Sequence, residues 1–196
     1  KVIVCNNLIN AEKIIQMSNE DEEELKKIKR TDMPIFVNVG RHDEKQKRLT
    51  RLIEAGKILK KQNYKFQIWL LGDGQDTKIY EELVKKYNLE NEIIFLGRKK
   101  NPYPYMKIAE CVVLTSDYEG FPVVFLESLI LEKPIITTKV SDYSQIEGKY
   151  GYIVEKDSED IANKMAEIIK NKYIIKEKFD YKKYNNEIAE KIKKLF

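Results

Sequence analysis

Ser116-Asp117-Tyr118-Glu119-Gly120-Phe121-Pro122-Val123-Val124-Phe125-Leu126-Glu127 follows the apolar run Cys111-Val112-Val113-Leu114-Thr115 and leads into a helical pattern ending near Glu132. Two carboxylates, Glu119 and Glu127, bracket a Gly-Phe-Pro turn. The spacing puts one in a loop at the carboxyl end of a strand. The other falls about one turn into the helix that follows. In open α/β sheets, ligands sit at that edge. A helix start there offers unpaired N–H groups and a positive dipole end to an anion. The arrangement suits a ligand with a phosphate and several hydroxyls.

Outward from this stretch the chain keeps one rhythm. Apolar strand patterns at 35–39, 65–71, 92–96, 111–115, 134–138 and 151–154 alternate with helical patterns at 48–61, 76–87, 104–109, 123–131 and 158–170. In the first of these helices Leu49, Leu52, Ile53, Gly56 and Leu59 line one side. Near-continuous apolar strands separated by helices indicate a parallel sheet covered on both faces. Right-handed crossovers make it doubly wound. The fold class expected is therefore α/β, a Rossmann-like, doubly wound parallel sheet of about six strands. In such a sheet the first and fourth core strands lie side by side across the switch point.

The flanks read differently. Residues 1–5 are a short apolar run and 6–10 a turn. Residues 18–30 read as a solvated helix, with Ser18 as its cap, acids first and bases last, and Glu22–Lys26 and Glu23–Lys27 as favourable pairs. Near the C-terminus Tyr181, Tyr184, Ile188, Ile192 and Leu195 recur at helical spacing. That stripe implies a helix docked on protein. A membrane-surface helix is the alternative, because lysines flank it.

Composition narrows the classes. The chain has 196 residues, 36 Lys and Arg against 32 Asp and Glu, and a net charge of +4. Nucleic-acid binding needs the positive charge clustered on one face, and no such cluster stands out. Cys5 and Cys111 are far apart, and Cys111 opens an apolar strand. A free thiol in a reducing cytosol is the expectation. No apolar run approaches the roughly 20 residues of a membrane-spanning helix, and no signal peptide is evident. The chain opens on Lys1 and runs straight into a strand-like segment, so it is expected to be a piece of a longer protein.

Gly40-Arg41 closes the first core strand, and Asp43, Glu44, Lys45, Lys47 and Arg48 follow. Glycine lets backbone approach a ligand closely. Arg as a fork and Lys as a point charge could clamp a diphosphate, although a solvated loop has the same composition. Gly72-Asp73-Gly74 reads as a tight turn, since the rest of a dinucleotide fingerprint is missing. His42 is the sole histidine, so the chain holds no histidine-based metal cluster and no Ser-His-Asp triad. Trp69 lies in an apolar strand and reads as core. Glu127 alone could be ordinary helix electrostatics. Its combination with Glu119, Gly120-Phe121-Pro122, Arg41 and Lys47 points to one crevice.

Those residues resemble the C-terminal, donor-binding half of a GT-B fold retaining glycosyltransferase of family 4 (group 1). The likeness rests on Val39-Gly40-Arg41 with Lys47, Leu70-Leu71-Gly72-Asp73-Gly74, Ile94-Phe95-Leu96-Gly97, Val113-Leu114-Thr115-Ser116, the Glu119-to-Glu127 stretch, Lys133-Pro134-Ile135-Ile136 and Gly151-Tyr152-Ile153-Val154. They occur in the family's order. The resemblance divides the chain into an interdomain linker strand with a charged helix (1–33), a nucleotide-sugar-binding domain (34–172) and a crossover helix (173–196). The acceptor-binding N-terminal domain, and the histidine some members carry there, would lie outside this chain.

The resemblance implies a nucleotide-diphosphate sugar as donor, most often a UDP-sugar, with neither cofactor nor metal required. Glu127 would bond the ribose hydroxyls, as a carboxylate with several lone pairs can. Glu119 would contact the donor sugar, with Gly120, Phe121 and Pro122 lining it. The Val123 and Val124 N–H groups would meet the diphosphate. Arg41, beside Gly40, and Lys47 would neutralise the departing nucleotide diphosphate. The Arg98 backbone would touch the base. The loop before the helix is one residue longer than the family's pattern, so Lys45 competes with Lys47; the distance to Leu52-Ile53 favours Lys47.

The function implied is transfer of a hexose or N-acetylhexosamine, with retention, onto a glycan or lipid-linked acceptor in cell-surface polysaccharide synthesis. The expected location is cytoplasmic, with peripheral association at the inner face of the membrane as an extension of it. The fragment alone would bind donor and turn over slowly or not at all. Two rivals share the nucleotide site: a GT-B nucleotide-sugar epimerase, and a non-catalytic nucleotide-sugar-binding module.

Overall fold

Apolar runs of four or five residues form the strands, and the central ones are covered on both faces. The computed structural model describes residues 8–20, 23–28, 33–120, 122–140 and 146–194. Six strands form its sheet: β1 (Ile35–Val39), β2 (Gln67–Leu71), β3 (Ile93–Gly97), β4 (Cys111–Leu114), β5 (Ile135–Thr138) and β6 (Gly151–Val154). All pairings are parallel, in the order β3-β2-β1-β4-β5-β6. Within β1, Ile35 and Val37 join one apolar cluster with Trp69, Tyr105 and Leu126. Phe36 joins the other, with Ile68, Tyr80 and Ile161. Successive strand side chains point to opposite faces, so the sheet separates two cores.

The helices supply the covers. They are α1 (Ala11–Met17), α2 (Glu23–Ile28), α3 (Leu49–Lys61), α4 (Thr77–Lys86), α5 (Tyr103–Ile108), α6 (Val123–Ile130), α7 (Ser158–Asn171) and α8 (Tyr181–Lys193). In α3 the stripe Leu49, Leu52, Ile53, Gly56 and Leu59 is buried as its spacing predicts. Gly56 packs closely there: a Cβ would lie 3.2 Å from the Ile68 side chain and 3.3 Å from that of Ile93, so both methyl ends would have to give way. Asp157 caps α7 through two backbone N–H groups.

The chain winds from β1 outward through β2 to β3, then returns to place β4 on the other side of β1. Phe36 is in register with Cys111, and Val37 with Val112. The loops after the first and fourth strands therefore leave the sheet side by side at its carboxyl edge.

The N-terminal flank departs from the sequence reading. A helix, α1, occupies residues that the sequence reading left unassigned, and Ser18 is its C-cap rather than the N-cap of a helix over 18–30. Asn10 caps α1 instead, accepting from the Lys13 N–H. Ala11 and Ile14 are buried, so packing makes a helix whose seven residues are too few to stand alone. Within the charged segment the described residues form α2, and its Leu25 is buried in the core. The strand proposed at 1–5 and the Glu22–Lys26 pair lie outside the described residues. So does Leu195. Trp69 and Cys111 are fully buried, and Cys111 is a free thiol.

At the other end, α8 docks on protein through Ile188, Tyr181 and Tyr184. Asn185 clamps it to the start of the described chain, accepting from the Ile9 N–H at 3.0 Å and donating to the Ile9 carbonyl at 2.8 Å. Among the described residues no helix is long and apolar enough to cross a membrane.

Candidate functional site

The loops after β1 and β2 touch through their backbones. Gly40 continues the ladder past β1, donating to the Leu71 carbonyl at 3.0 Å. A Cβ on Gly72 would sit 1.8 Å from the Gly40 carbonyl oxygen, and Gly72 has φ +134°. A Cβ on Gly74 would lie 2.2 Å from the His42 oxygen. The Gly-Asp-Gly turn is thus the condition for the two loops to touch. Beside it lies a cleft of about 270 Å³, lined among others by Gly40, Arg41, Gly72, Asp73, Arg98 and Pro102. Arg98 pairs with Asp73 at 2.9 Å near its mouth, where both side chains are exposed. Arg41 is exposed and makes no ion pair among the described residues.

The loop after β1 turns tightly before α3. Lys47 N–H donates to the Asp43 carbonyl at 2.7 Å. Arg48 then takes φ 53°, in the left-handed region, and gives α3 no side-chain cap. Glu44 does the capping: it accepts from the Thr50 N–H at 3.3 Å, from the Thr50 hydroxyl, and from the Tyr80 hydroxyl at 3.1 Å. Lys45 is left exposed, whereas Lys47 turns inward past Gly40.

Lys47 meets the loop after β4. Its ammonium lies 2.6 Å from Glu119 Oε1. The same oxygen accepts from the Ser116 hydroxyl at 2.6 Å, and Gln46 Nε2 donates to Oε2 at 3.3 Å. Only 8% of the Glu119 side chain is exposed. The donors supply the hydrogen bonding that a carboxylate out of water needs.

Asp117, two residues earlier, ties the loops together. It pairs with Arg51 at 2.7 Å and with Arg48 Nε at 2.8 Å. Lys156, from the loop after β6, donates to its backbone carbonyl at 2.6 Å. Burial pushes the Asp117 carboxyl up, but the Arg51 hydrogen bond and the charges of Arg51, Arg48 and Lys156 outweigh it, so its pKa falls below the ordinary value. Thr138 fixes the same segment by donating to the Ser116 carbonyl at 2.5 Å.

Pro122 stands at the N-cap of α6 and supplies no side-chain cap, and Val123 and Val124 begin the helix. Val123 and Gly120 are exposed. Phe121 lies outside the described residues. Glu127, one turn on, takes no part in the Lys47 cluster. It accepts from the Tyr103 hydroxyl at 3.0 Å. Burial raises the Glu127 pKa, and the Tyr103 bond pulls the other way. Tyr103 is pushed up to about 12 by burial and by the charge and hydrogen bond of Glu127.

The structure therefore brings Lys47 to Glu119 and lines one cleft with Gly40, Arg41 and Arg98. It keeps Glu127 on a separate support. Gln46, Ser116, Asp117, Arg51 and Tyr103 carry this geometry and were not singled out from sequence. Ser116 had a signal, a hydroxyl three residues before a loop carboxylate. Tyr103 had none, because its partner lies 24 residues away. Among the described residues no group of three or more His, Cys, Asp or Glu could hold a metal ion.

The model of the glycosyl transferases group 1 family matches residues 19–194. The chain belongs to that family. An uncharacterized glycosyltransferase of Methanocaldococcus jannaschii is 34% identical over 138 residues, covering 70% of this chain and 34% of that protein. The N-acetylgalactosamine-N,N'-diacetylbacillosaminyl-diphospho-undecaprenol 4-alpha-N-acetylgalactosaminyltransferase of Campylobacter jejuni is 33% identical, covering 79% of this chain and 41% of that one. This group 1 chain thus spans well under half the length of either relative. Among solved structures, Anabaena HepE in complex with UDP and glucose shares the fold, with TM-score 0.78 and 20% identity over 98% of this chain and 57% of that one.

Proposed function

We propose that this group 1 chain is the C-terminal, donor-binding half of a GT-B enzyme. It takes a sugar from a UDP-sugar and passes it, with retention, to a glycan or lipid-linked acceptor in surface polysaccharide synthesis. The contact between Lys47 and Glu119 carries the reading, because it joins a cation from the loop after β1 to a carboxylate from the loop after β4. A diphosphate at the start of α6 would find N–H groups, the helix dipole and the Lys47 charge on one side of the switch point. Arg41, which has no internal counterion among the described residues, would add a second charge.

In this reading Lys47 and Arg41 stabilise the leaving nucleotide diphosphate, Glu119 meets the donor sugar and Glu127 the ribose. Gly40, Gly120 and Arg98 contribute backbone surface. The Campylobacter relative, whose name carries a diphospho-undecaprenol acceptor, supports a lipid-linked acceptor. The acceptor side of the cleft and the rest of the enzyme would come from sequence beyond this chain. Work on a lipid-linked acceptor would bring the enzyme to the inner face of the membrane.

Calorimetry with UDP, GDP and ADP tests the donor site. UDP should bind, and Glu127→Ala should weaken it by about 1–3 kcal/mol, the range for a lost hydrogen bond to a charged group. Failure of all three nucleotides to bind would remove the reading. Retention is tested on the full-length protein by the anomeric configuration of the product.

A further inference from the structure

We propose that Tyr103 is a positioning residue that aims the Glu127 carboxylate at the sugar ring of a nucleotide, and so sets how strongly the site prefers ribose to deoxyribose. The inference rests on the ribose reading of Glu127 and deepens it. The two carboxylates of the site are held in unlike ways. Glu119 is gripped by Lys47, Ser116 and Gln46. Glu127 accepts one hydrogen bond among the described residues, from the Tyr103 hydroxyl to Oε1 at 3.0 Å. No cation pairs with it among them. Oε2 and a lone pair of Oε1 remain for outside donors, and two vicinal hydroxyls supply two such donors.

A glutamate has three rotatable side-chain bonds and points nowhere in particular without a fixed partner. Tyr103 is such a partner. Its ring is half-buried against the core. Its backbone N–H donates to Asn101 Oδ1 at 3.2 Å. Asn101 is itself buried and donates from Nδ2 to the Met17 carbonyl at 2.9 Å and to Glu20 Oε2 at 2.6 Å. The end of α1 therefore fixes Asn101, Asn101 fixes the start of α5, and α5 fixes the hydroxyl. Pro102, between the two, lines the cleft with Gly40 and Arg98. One short turn thus walls the cleft where a base would lie and orients the carboxylate where a ribose would lie.

The test compares UDP with 2′-deoxy-UDP by calorimetry on the wild-type chain, Tyr103→Phe and Glu127→Ala, with thermal melting of each. The wild type should prefer UDP, and Glu127→Ala should abolish the preference. Tyr103→Phe, which keeps the ring, should reduce it by about three- to tenfold, the span of one typical hydrogen bond. Equal weakening of both nucleotides by Tyr103→Phe would mean general support only and would overturn the proposal. An unchanged preference in Tyr103→Phe, with the preference lost in Glu127→Ala, would overturn it and leave the ribose reading standing. A preference that survives Glu127→Ala would end the ribose reading and this inference together.

Discussion

Lys47 and Glu119 meet at 2.6 Å from loops that follow two adjacent strands, 72 residues apart in the chain. The pair is mostly withdrawn from solvent, with side-chain exposures of 19% and 8%. Each member therefore acts as the other's counterion until a ligand arrives. In the proposed reading an incoming diphosphate would compete with Glu119 for Lys47.

Opposite effects on UDP affinity follow for the two members. Lys47→Ala removes this cation from Glu119, which keeps its bonds to Ser116 and Gln46. Stability should fall by about 1–3 kcal/mol, the penalty for a buried charged group that loses a partner, and UDP affinity should fall too. Glu119→Gln keeps the shape and frees Lys47 for the diphosphate, so UDP should bind at least as tightly as before. The full-length enzyme carrying Glu119→Gln should nevertheless transfer more slowly, if Glu119 meets the donor sugar as proposed. Weaker UDP binding by Glu119→Gln would sink the exchange.

Glycine substitutions should separate by position. Gly72→Ala drives a Cβ to 1.8 Å from the Gly40 oxygen at φ +134°, and Gly74→Ala drives one to 2.2 Å from the His42 oxygen. Both collisions are with backbone, so relief requires the two loops to part. We expect losses above about 2 kcal/mol, beyond the ordinary range of a glycine substitution, and a widened cleft. A Cβ on Gly120 would meet nothing within 4 Å. Gly120→Ala should stay within about 0.5 kcal/mol of wild type in urea unfolding. Any change it makes should appear in nucleotide-sugar binding.

Periodicity and spacing made the sheet legible because the central strands β1, β2, β4 and β5 are almost wholly buried and helices such as α3 have one apolar side. Lys47 and Glu119 were legible for a related reason: strand order is constrained, so residues at the ends of β1 and β4 must be neighbours. The first helix was not legible. Ala11 and Ile14 give too few apolar positions for a period, and the docking surface that stabilises them is remote in sequence. Tyr103 and Asp117 were illegible because single long-range hydrogen bonds and ion pairs leave no local pattern. Arg48 looked like one more loop cation. Its φ of 53° is a property of the turn, which the residue type does not reveal.

The Arg48 and Arg51 ion pairs with Asp117 should differ in weight. Arg48 is 40% exposed, where an ion pair contributes about 0–1 kcal/mol, and its left-handed backbone would relax with glycine. Arg48→Gly should therefore come within about 1 kcal/mol of wild type. Arg51 is 14% exposed and also donates to the Thr115 carbonyl at 3.0 Å. Arg51→Ala should cost more, about 1–3 kcal/mol. The Asp117 carboxyl is held below its ordinary value. Its contribution is therefore present above the unfolded pKa of about 4 and disappears as pH falls through the lower folded value. The stability gap between wild type and Asp117→Asn, measured in urea, should be full at pH 7 and shrink at pH 3. A constant gap would exclude the linkage.

A second acid effect should arise at higher pH, from the only histidine. His42 is 1% exposed and sits edge-on to Tyr80 and Phe95. Its Nδ1 lies 2.9 Å from the Thr77 hydroxyl. Burial lowers its pKa against the pull of Asp73 and Glu81. The unfolded chain therefore takes up a proton near pH 6.5 that the native ring refuses. Stability from this source is complete above about 6.5 and declines as pH falls toward the folded pKa, below which it levels off. His42→Phe should be less stable at pH 7.5 by about 1 kcal/mol through loss of the Thr77 contact. It should lose less than wild type between pH 7 and 5. In the wild-type protein the one imidazole resonance should titrate below 6.5. A native ring that titrates at or above that value, or an equal loss in both proteins, would show that His42 does not set this limb.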